Sequence, residues 1–173
     1  MVFARQAPPR KILVNLNKVI DDGIYFLESR CAKAGIELIR ELAPDLPEIT
    51  ADPSQLHQIL INLIVNSIQA MPAGGKLTIK TRSLEGEVSL SVEDTGSGMS
   101  GDVLKKIFIP FFTTKDVHEG TGLGLSVVHG IVSGHGGNIR VESKVGIGTR
   151  FEIILPIRAV NGFKESENGD NGE

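Results

Sequence analysis

Two asparagines one helical turn apart are the first residues here that could do chemistry. In "QILINLIVNSIQAM", residues 58–71, Gln58, Asn62, Asn66 and Gln69 fall at steps of four, four and three, one stripe of a helix. Asparagine is a poor interior helix residue because its amide competes for backbone groups. A neutral amide oxygen is a hard ligand suited to Mg2+, which keeps waters and shares substrate phosphates; a solvated polar edge is the plainer alternative. In "VEDTGSGM", residues 92–99, a strand would deliver Asp94 into a turn where Gly96 and Gly98 allow close approach of a ligand. A carboxylate there can accept a hydrogen bond from an exocyclic amine such as that of adenine, although Asp and Gly also make ordinary turns.

Three further stretches carry polar or glycine-rich patterns. "FIPFFTTK", residues 108–115, holds Phe108, Phe111 and Phe112, three of the seven phenylalanines, and ends on Lys115. It reads as part of a long loop, either a lid or the cover of a small satellite core; Lys115 could aim its charge at a terminal phosphate or at solvent. "HEGTGLGLSVVHG", residues 118–130, runs Gly120, Gly122 and Gly124 into an apolar segment. A dinucleotide fingerprint would need glycine where Leu125 stands, and a Walker loop would need Lys-Ser or Lys-Thr after the glycines. What survives is a glycine-flanked helix N-terminus, whose free N–H groups bind phosphate. In "GIGTRF", residues 146–151, Thr149 enters a strand after two glycines and could present its hydroxyl near Asp94.

The elements that must position these residues follow from periodicity. "KILVNLN" and "IELIREL" read as strands around a helix that carries Val19, Ile20, Ile24, Phe26, Leu27 and Cys31 and closes at Gly35. "APDLPEITADP" reads as a loop. Asp52 as N-cap, Pro53 at the first helical position and Gln55 at N3 form a capping box for a helix reaching about Met71. "KLTIKTRS" and "EVSLSVED" make an antiparallel hairpin across "LEG". A short helix "DVLKKIF", a long loop, a helix "LGLSVVHGIVSGHG" and a hairpin turning at Val145–Gly148 complete the order. Paired strands with interspersed helices predict a mixed sheet under a helical layer.

The 173 residues allow one domain, and 40% hydrophobic with 23% charged residues is ordinary for a globular protein. A net charge of -3 gives no field for nucleic acid or membrane. The lone Cys31 forms no internal disulfide, which fits a cytoplasmic setting, and reads as a small apolar residue. No apolar run nears the ~20 residues that span a bilayer.

In order, Asn62/Asn66, Asp94-x-Gly96-x-Gly98, "FxPFFTTK", "GTGLGL" and "GxGTxF" resemble the N, G1, F and G2 boxes of the ATP-binding catalytic domain of sensor histidine kinases. "NLIVNSIQAM", "FIPFFTTK" and "HGGNIRVESKVGIGTRF" look nearest the nitrogen-regulation-like branch. The resemblance covers about residues 11–157. It implies an α/β two-layer Bergerat fold, a mixed five-stranded sheet with three main helices on one face and an ATP lid. It divides the chain into a remnant of a dimerisation helix and linker (1–10), the catalytic ATP-binding domain (11–158) and a disordered polar tail (159–173).

The same resemblance implies roles. Asn66 would bind Mg2+ with Asn62 in support, and Asp94 would read the adenine amine beside Gly98, with Thr149 assisting. Gly96, Met99, Ala70 and Phe111 would complete the nucleotide site. Gly120, Thr121, Gly122, Leu123, Gly124 and Leu125 would form the lid hinge and phosphate cradle, with Lys115 at the γ-phosphate. Gln69 stands where many relatives carry lysine. None of His57, His118, His129 and His135 lies in a phosphoacceptor motif, so the expectation is a catalytic domain whose histidine sits in a separate dimerisation domain absent here. It would be cytoplasmic and monomeric, drawn from a homodimeric parent, with a response regulator downstream. The alternatives are a stand-alone kinase of anti-sigma type, an ATP hydrolase like gyrase B, or a non-catalytic binding module. The hydrolases carry glutamate where Asn62 stands, and an amide takes no proton.

Overall fold

The structure, a computed structural model, describes residues 8–115 and 122–157. Expectations for the lead-in before Pro8, for His118, Gly120 and Thr121, and for the tail from Arg158 onward lie outside the described residues.

A mixed five-stranded sheet runs in the order β2 (Ile36–Glu41), β4 (Gly75–Leu84), β5 (Glu87–Asp94), β7 (Gly148–Pro156), β6 (Asn138–Lys144). Only β2 with β4 is parallel; the other three pairs are antiparallel. On β5 the alternation separates two faces. Val88, Leu90 and Val92 are fully buried beneath the helices, while Ser89 on the opposite face donates to Glu152, which also meets Arg82. A layer of α1 (Leu16–Tyr25), α3 (Pro53–Ala70) and α5 (Gly124–Gly134) covers the apolar face. Leu56, Ile59, Leu60, Leu63 and Ile64 of α3 and Val128, Ile131 and Val132 of α5 fill the space against Leu77, Ile79, Phe151 and Ile153. This is the mixed five-stranded, two-layer architecture that the sequence predicts.

Local departures have physical causes. The stretch read as a loop, 43–53, contains a three-residue strand, β3 (Ile49–Ala51), antiparallel to β1 (Ile12–Val14) in a separate two-stranded sheet. Three residues between Pro47 and Pro53 are too few to show alternation. The helix read through 17–35 is two, because the chain turns at Phe26 and restarts as α2 (Glu28–Lys33). The turn sends Leu27 and Cys31 into the core and leaves Phe26, expected on the buried face, 79% exposed against Tyr25. The helix read as "DVLKKIF" shrinks to α4 (Gly101–Leu104), capped by Ser100, with the chain then turning to bury Ile107.

The start of α3 is as the sequence reads it, with one change. The Asp52 carboxylate accepts from the N–H groups of Ser54 and Gln55 and from the Ser54 hydroxyl, and Arg10 N–H adds a fourth donor. The Ser54 hydroxyl, with these N–H groups, holds its carboxyl below the ordinary aspartate value against the pull of burial. The reciprocal half of the capping box does not come from Gln55. Asp52 N–H donates instead to Nε2 of the buried His135, 3.1 Å away, whose Nδ1 lies 2.8 Å from the Ile131 carbonyl. These two contacts select the neutral imidazole with its proton on Nδ1. One ring thus ties the end of α5 to the beginning of α3. His135→Ala strands the Asp52 N–H in a buried position and should cost about 1–3 kcal/mol of stability, measured by urea denaturation; an unchanged midpoint would show that another group satisfies the donor.

Candidate functional site

Between α3, the end of β5 and the start of α5 lies a cavity of about 640 Å³, within the usual size of a small-molecule site. It is lined by Asn62, Asn66, Gln69 and Ala70 of α3, Asp94, Gly98 and Met99 after β5, Lys115, Gly122, Gly124 and Leu125 near α5, and Thr149 of β7. Five stretches far apart in sequence therefore meet in one place. A shallower depression of about 770 Å³ surrounds Arg10, Asp52 and Gln58 and contains none of these residues.

Asp94 forms the floor. It is 5% exposed at the last position of β5, directly across from Thr149 on β7. Its carboxylate accepts from Gly96 N–H at 2.9 Å. Burial pushes its carboxyl above the ordinary aspartate value, while Gly96 N–H, the nearby Ser67 hydroxyl and Thr149 N–H pull the other way. The Ser67 hydroxyl itself is buried without a partner of hydrogen-bond geometry. Glycine is required around this floor. A Cβ at Gly98, where φ is +69°, would lie 2.0 Å from the Lys144 carbonyl, and one at Gly96 would lie 2.6 Å from the Ala70 carbonyl. The Asp94 turn is thereby pressed against the end of α3 on one side and the β6–β7 turn on the other, with Ser97 N–H bonded to Ala70 and Gly146 N–H to Ser97.

The wall is polar. Lys115 Nζ donates to Asn66 Oδ1 at 3.0 Å and also to Gln69 Oε1. A cation therefore already sits on the amide oxygen expected to hold one. Asn62, one turn earlier, donates its Nδ2 to the Gly124 carbonyl at 3.2 Å and so ties α3 to the first residue of α5. Among the described residues no group of three His, Cys, Asp or Glu side chains could hold a metal, so a metal here would rely on the Asn66 amide and on a ligand's own oxygens.

The opposite end is the start of α5. Its N-cap Leu123 provides no side-chain bond, so the first N–H groups of the helix have no side-chain cap. The loop leading there is pinned at its base. Phe111 N–H donates to the Gly122 carbonyl at 2.8 Å, and Phe111 takes φ +66°, a left-handed conformation uncommon for a bulky residue. The structure does not bring every expected contact to the cavity. Phe111 is 74% exposed and Phe112 lines the cavity instead; Gly96 lies behind the floor, and Leu123 is outside the lining. Sequence reasoning passed over Ser67 and the apolar lining residues Val103 and Ile107, whose signals are burial and tertiary neighbours rather than motif.

Comparison with known proteins supplies the context. Residues 51–159 match the family model described as histidine kinase-, DNA gyrase B-, and HSP90-like ATPase. The chain is 42% identical to the sensor kinase CckA of Brucella abortus over 171 residues, covering 90% of this chain but 18% of CckA. Its fold is similar to the catalytic domain of histidine kinase ThkA in a nucleotide-free form, with a TM-score of 0.78, 33% identity, and coverage of 87% of this chain and 97% of that one. It is equally similar, at TM-score 0.78 and 29% identity, to full-length ShkA in complex with AMPPNP, covering 87% of this chain and 32% of ShkA. ThkA has also been solved in complex with response regulator protein TrrA.

The buried carboxylate leads to a stability prediction. A carboxyl raised above its unfolded value costs folding free energy once pH exceeds the ordinary aspartate value, and the cost grows until pH passes the raised folded value. Asp94→Asn should therefore melt at a higher temperature than the wild type at pH 7. That advantage should shrink as pH falls below the ordinary aspartate value, where both carboxyls are protonated. A lower melting temperature at pH 7 would contradict the burial cost.

Proposed function

Because the chain belongs to the histidine kinase-, DNA gyrase B- and HSP90-like ATPase family, we propose that it is the ATP-binding catalytic domain of a two-component sensor histidine kinase, passing the γ-phosphate to a histidine on a separate domain. The observation that carries this reading is the polarity of the cavity. A buried acceptor, Asp94, stands at one end, and an amide-and-ammonium wall with a helix N-terminus stands at the other. The first end suits the amine of adenine. The second suits phosphates.

Phosphoryl transfer asks the protein for position and charge neutralisation more than for covalent chemistry. Asp94 fixes the base, and Gly98 leaves room for the ring beside it. The N–H groups at Gly124 and Leu125 face the phosphates, with Gly122 just before them. Mg2+, held by Asn66 and the phosphates, would supply charge neutralisation. Lys115 leaves Asn66 and Gln69 and follows the γ-phosphate, so the same ammonium that occupies the wall becomes a ligand contact. Asn62 holds Gly124 in place and lacks the basicity to activate water. That last point disfavours the hydrolase reading.

The chain spans 18% of CckA and about a third or less of two further sensor kinases it matches, and the activity of a whole sensor kinase is part of the proposal. The proposed partners are a dimerisation domain that carries the phosphoacceptor histidine, and a response regulator downstream. Among the described residues no helix is long and apolar enough to cross a membrane; the proposed site of action is the cytoplasm, where ATP is available.

Calorimetry with Mg-ATP tests the reading. The wild type should bind, Asp94→Asn should weaken binding at least tenfold, and Lys115→Met should weaken Mg-ATP while leaving Mg-ADP nearly unchanged. Hydrolysis alone should fall well below the ~1 s⁻¹ at which ordinary turnover begins. Labelled phosphate should reach a histidine-bearing dimerisation domain supplied in trans. No Mg-ATP binding, or turnover of about 1 s⁻¹ or faster, would overturn it.

A further inference from the structure

The floor of the cavity contains a second reader besides Asp94, and its chemistry is set by a residue outside the lining. Ser143, half-buried on β6, has its hydroxyl at three contacts. Met99 N–H donates to it at 2.8 Å, the Gly148 carbonyl lies 3.1 Å from it, and the Thr149 hydroxyl lies 2.7 Å from it. A serine hydroxyl has one proton and two acceptor sites. The Gly148 carbonyl can only accept, so it takes the Ser143 proton. Met99 N–H can only donate, so it fills one acceptor site. The remaining contact is then satisfied only if Thr149 donates to Ser143. All three bonds coexist in this arrangement and in no other.

The consequence falls on Thr149. It is buried, it lines the cavity, and it stands across from Asp94 in the strand register. With its proton committed to Ser143, it can offer the cavity only lone pairs. As a carboxylate, Asp94 also offers only lone pairs. Resting on the nucleotide reading above, we propose that Ser143 is a positioning residue that locks Thr149 as a hydrogen-bond acceptor, so that the floor selects a 6-amino purine over a 6-oxo purine. Adenine brings two hydrogens on its amine to two acceptors in direct contact. Hypoxanthine brings a carbonyl oxygen, which neither acceptor can pair. The glycines serve the same arrangement, because a Cβ at Gly148 would lie 2.0 Å from the Asp94 carbonyl and force β7 away from the floor.

Titration calorimetry with Mg-ATP and Mg-ITP reads this directly as the ratio of the two dissociation constants. In Ser143→Ala the Thr149 hydroxyl is free to rotate and donate to the 6-oxo group. The preference for ATP should fall about two- to tenfold, the worth of one neutral hydrogen bond, with circular dichroism confirming the fold. Ser143→Thr keeps the hydroxyl and should keep the preference. Thr149→Val should lower it to a similar degree, leaving the share that Asp94 reads, and adding Ser143→Ala to Thr149→Val should change the ratio no further. A role in holding the Met99 turn alone would weaken both nucleotides equally and leave the ratio unchanged in Ser143→Ala, which would overturn the proposal. So would a Ser143→Ala effect of full size in the Thr149→Val background. A wild type that binds neither nucleotide would overturn the nucleotide reading itself, a separate result from selective binding that ignores Ser143.

Discussion

A carboxylate held away from water at the end of a central strand is the constraint from which the rest of the site follows. Charge in such a place is costly unless hydrogen bonds surround it. Asp94 has Gly96 N–H at 2.9 Å and β7 alongside, and it still carries a raised affinity for its proton. Three things follow from keeping it there. The turn after β5 must fold back tightly enough to aim an N–H at the carboxylate. The β6–β7 turn must come within backbone contact of it, which excludes side chains at Gly98 and Gly148. The end of α3 must accept the Asp94 turn at Ala70. The floor therefore fixes the spacing between sheet and helices as much as the core does.

The helical layer meets a second requirement, that the two ends of the cavity keep their separation. Two bonds between α3 and α5 do this from opposite ends. Asn62 reaches Gly124 at the first residue of α5, and His135 at the far end of α5 accepts from the N-cap of α3. Neither needs a ligand. Between them on α3 lie the buried Leu56, Ile59 and Leu60, in the same core as Val128, Ile131 and Val132 of α5. The start of α5 is thus held to α3 by polar bonds at both ends of an apolar interface.

Much of this was legible in the sequence because it is written locally. Asp52–Pro53 and Met71–Pro72 bracket α3, with the helix running Pro53–Ala70. The hairpin of β4 and β5 announces itself by alternation and by Gly86, and the order of the five stations points to one site. What was not legible is written between distant residues. The partner of the Asp52 N–H is 83 positions away, and no pattern around Gln55 reveals that His135 replaces it. The parallel pairing of β2 with β4 needs α3 in between and leaves no mark on either strand. Ser143 looks like any strand serine until Met99 is brought against it. Phe111 and Phe112 are equivalent in the sequence, and only the left-handed turn at Phe111 decides which one faces the cavity.

The bond from Phe111 N–H to the Gly122 carbonyl has a further consequence. It closes the neck of the segment between those residues on a backbone contact so tight that a Cβ at Gly122 would lie 2.4 Å from Phe111. Closing a longer segment across a fixed neck costs only about 0.6 kcal/mol for each doubling of its length. The stretch inside the neck is therefore a replaceable cassette. By that measure a change in the length of this segment leaves α5 and the sheet beneath where they are. The length of that segment and the position of α5 are then set on opposite sides of a single hydrogen bond.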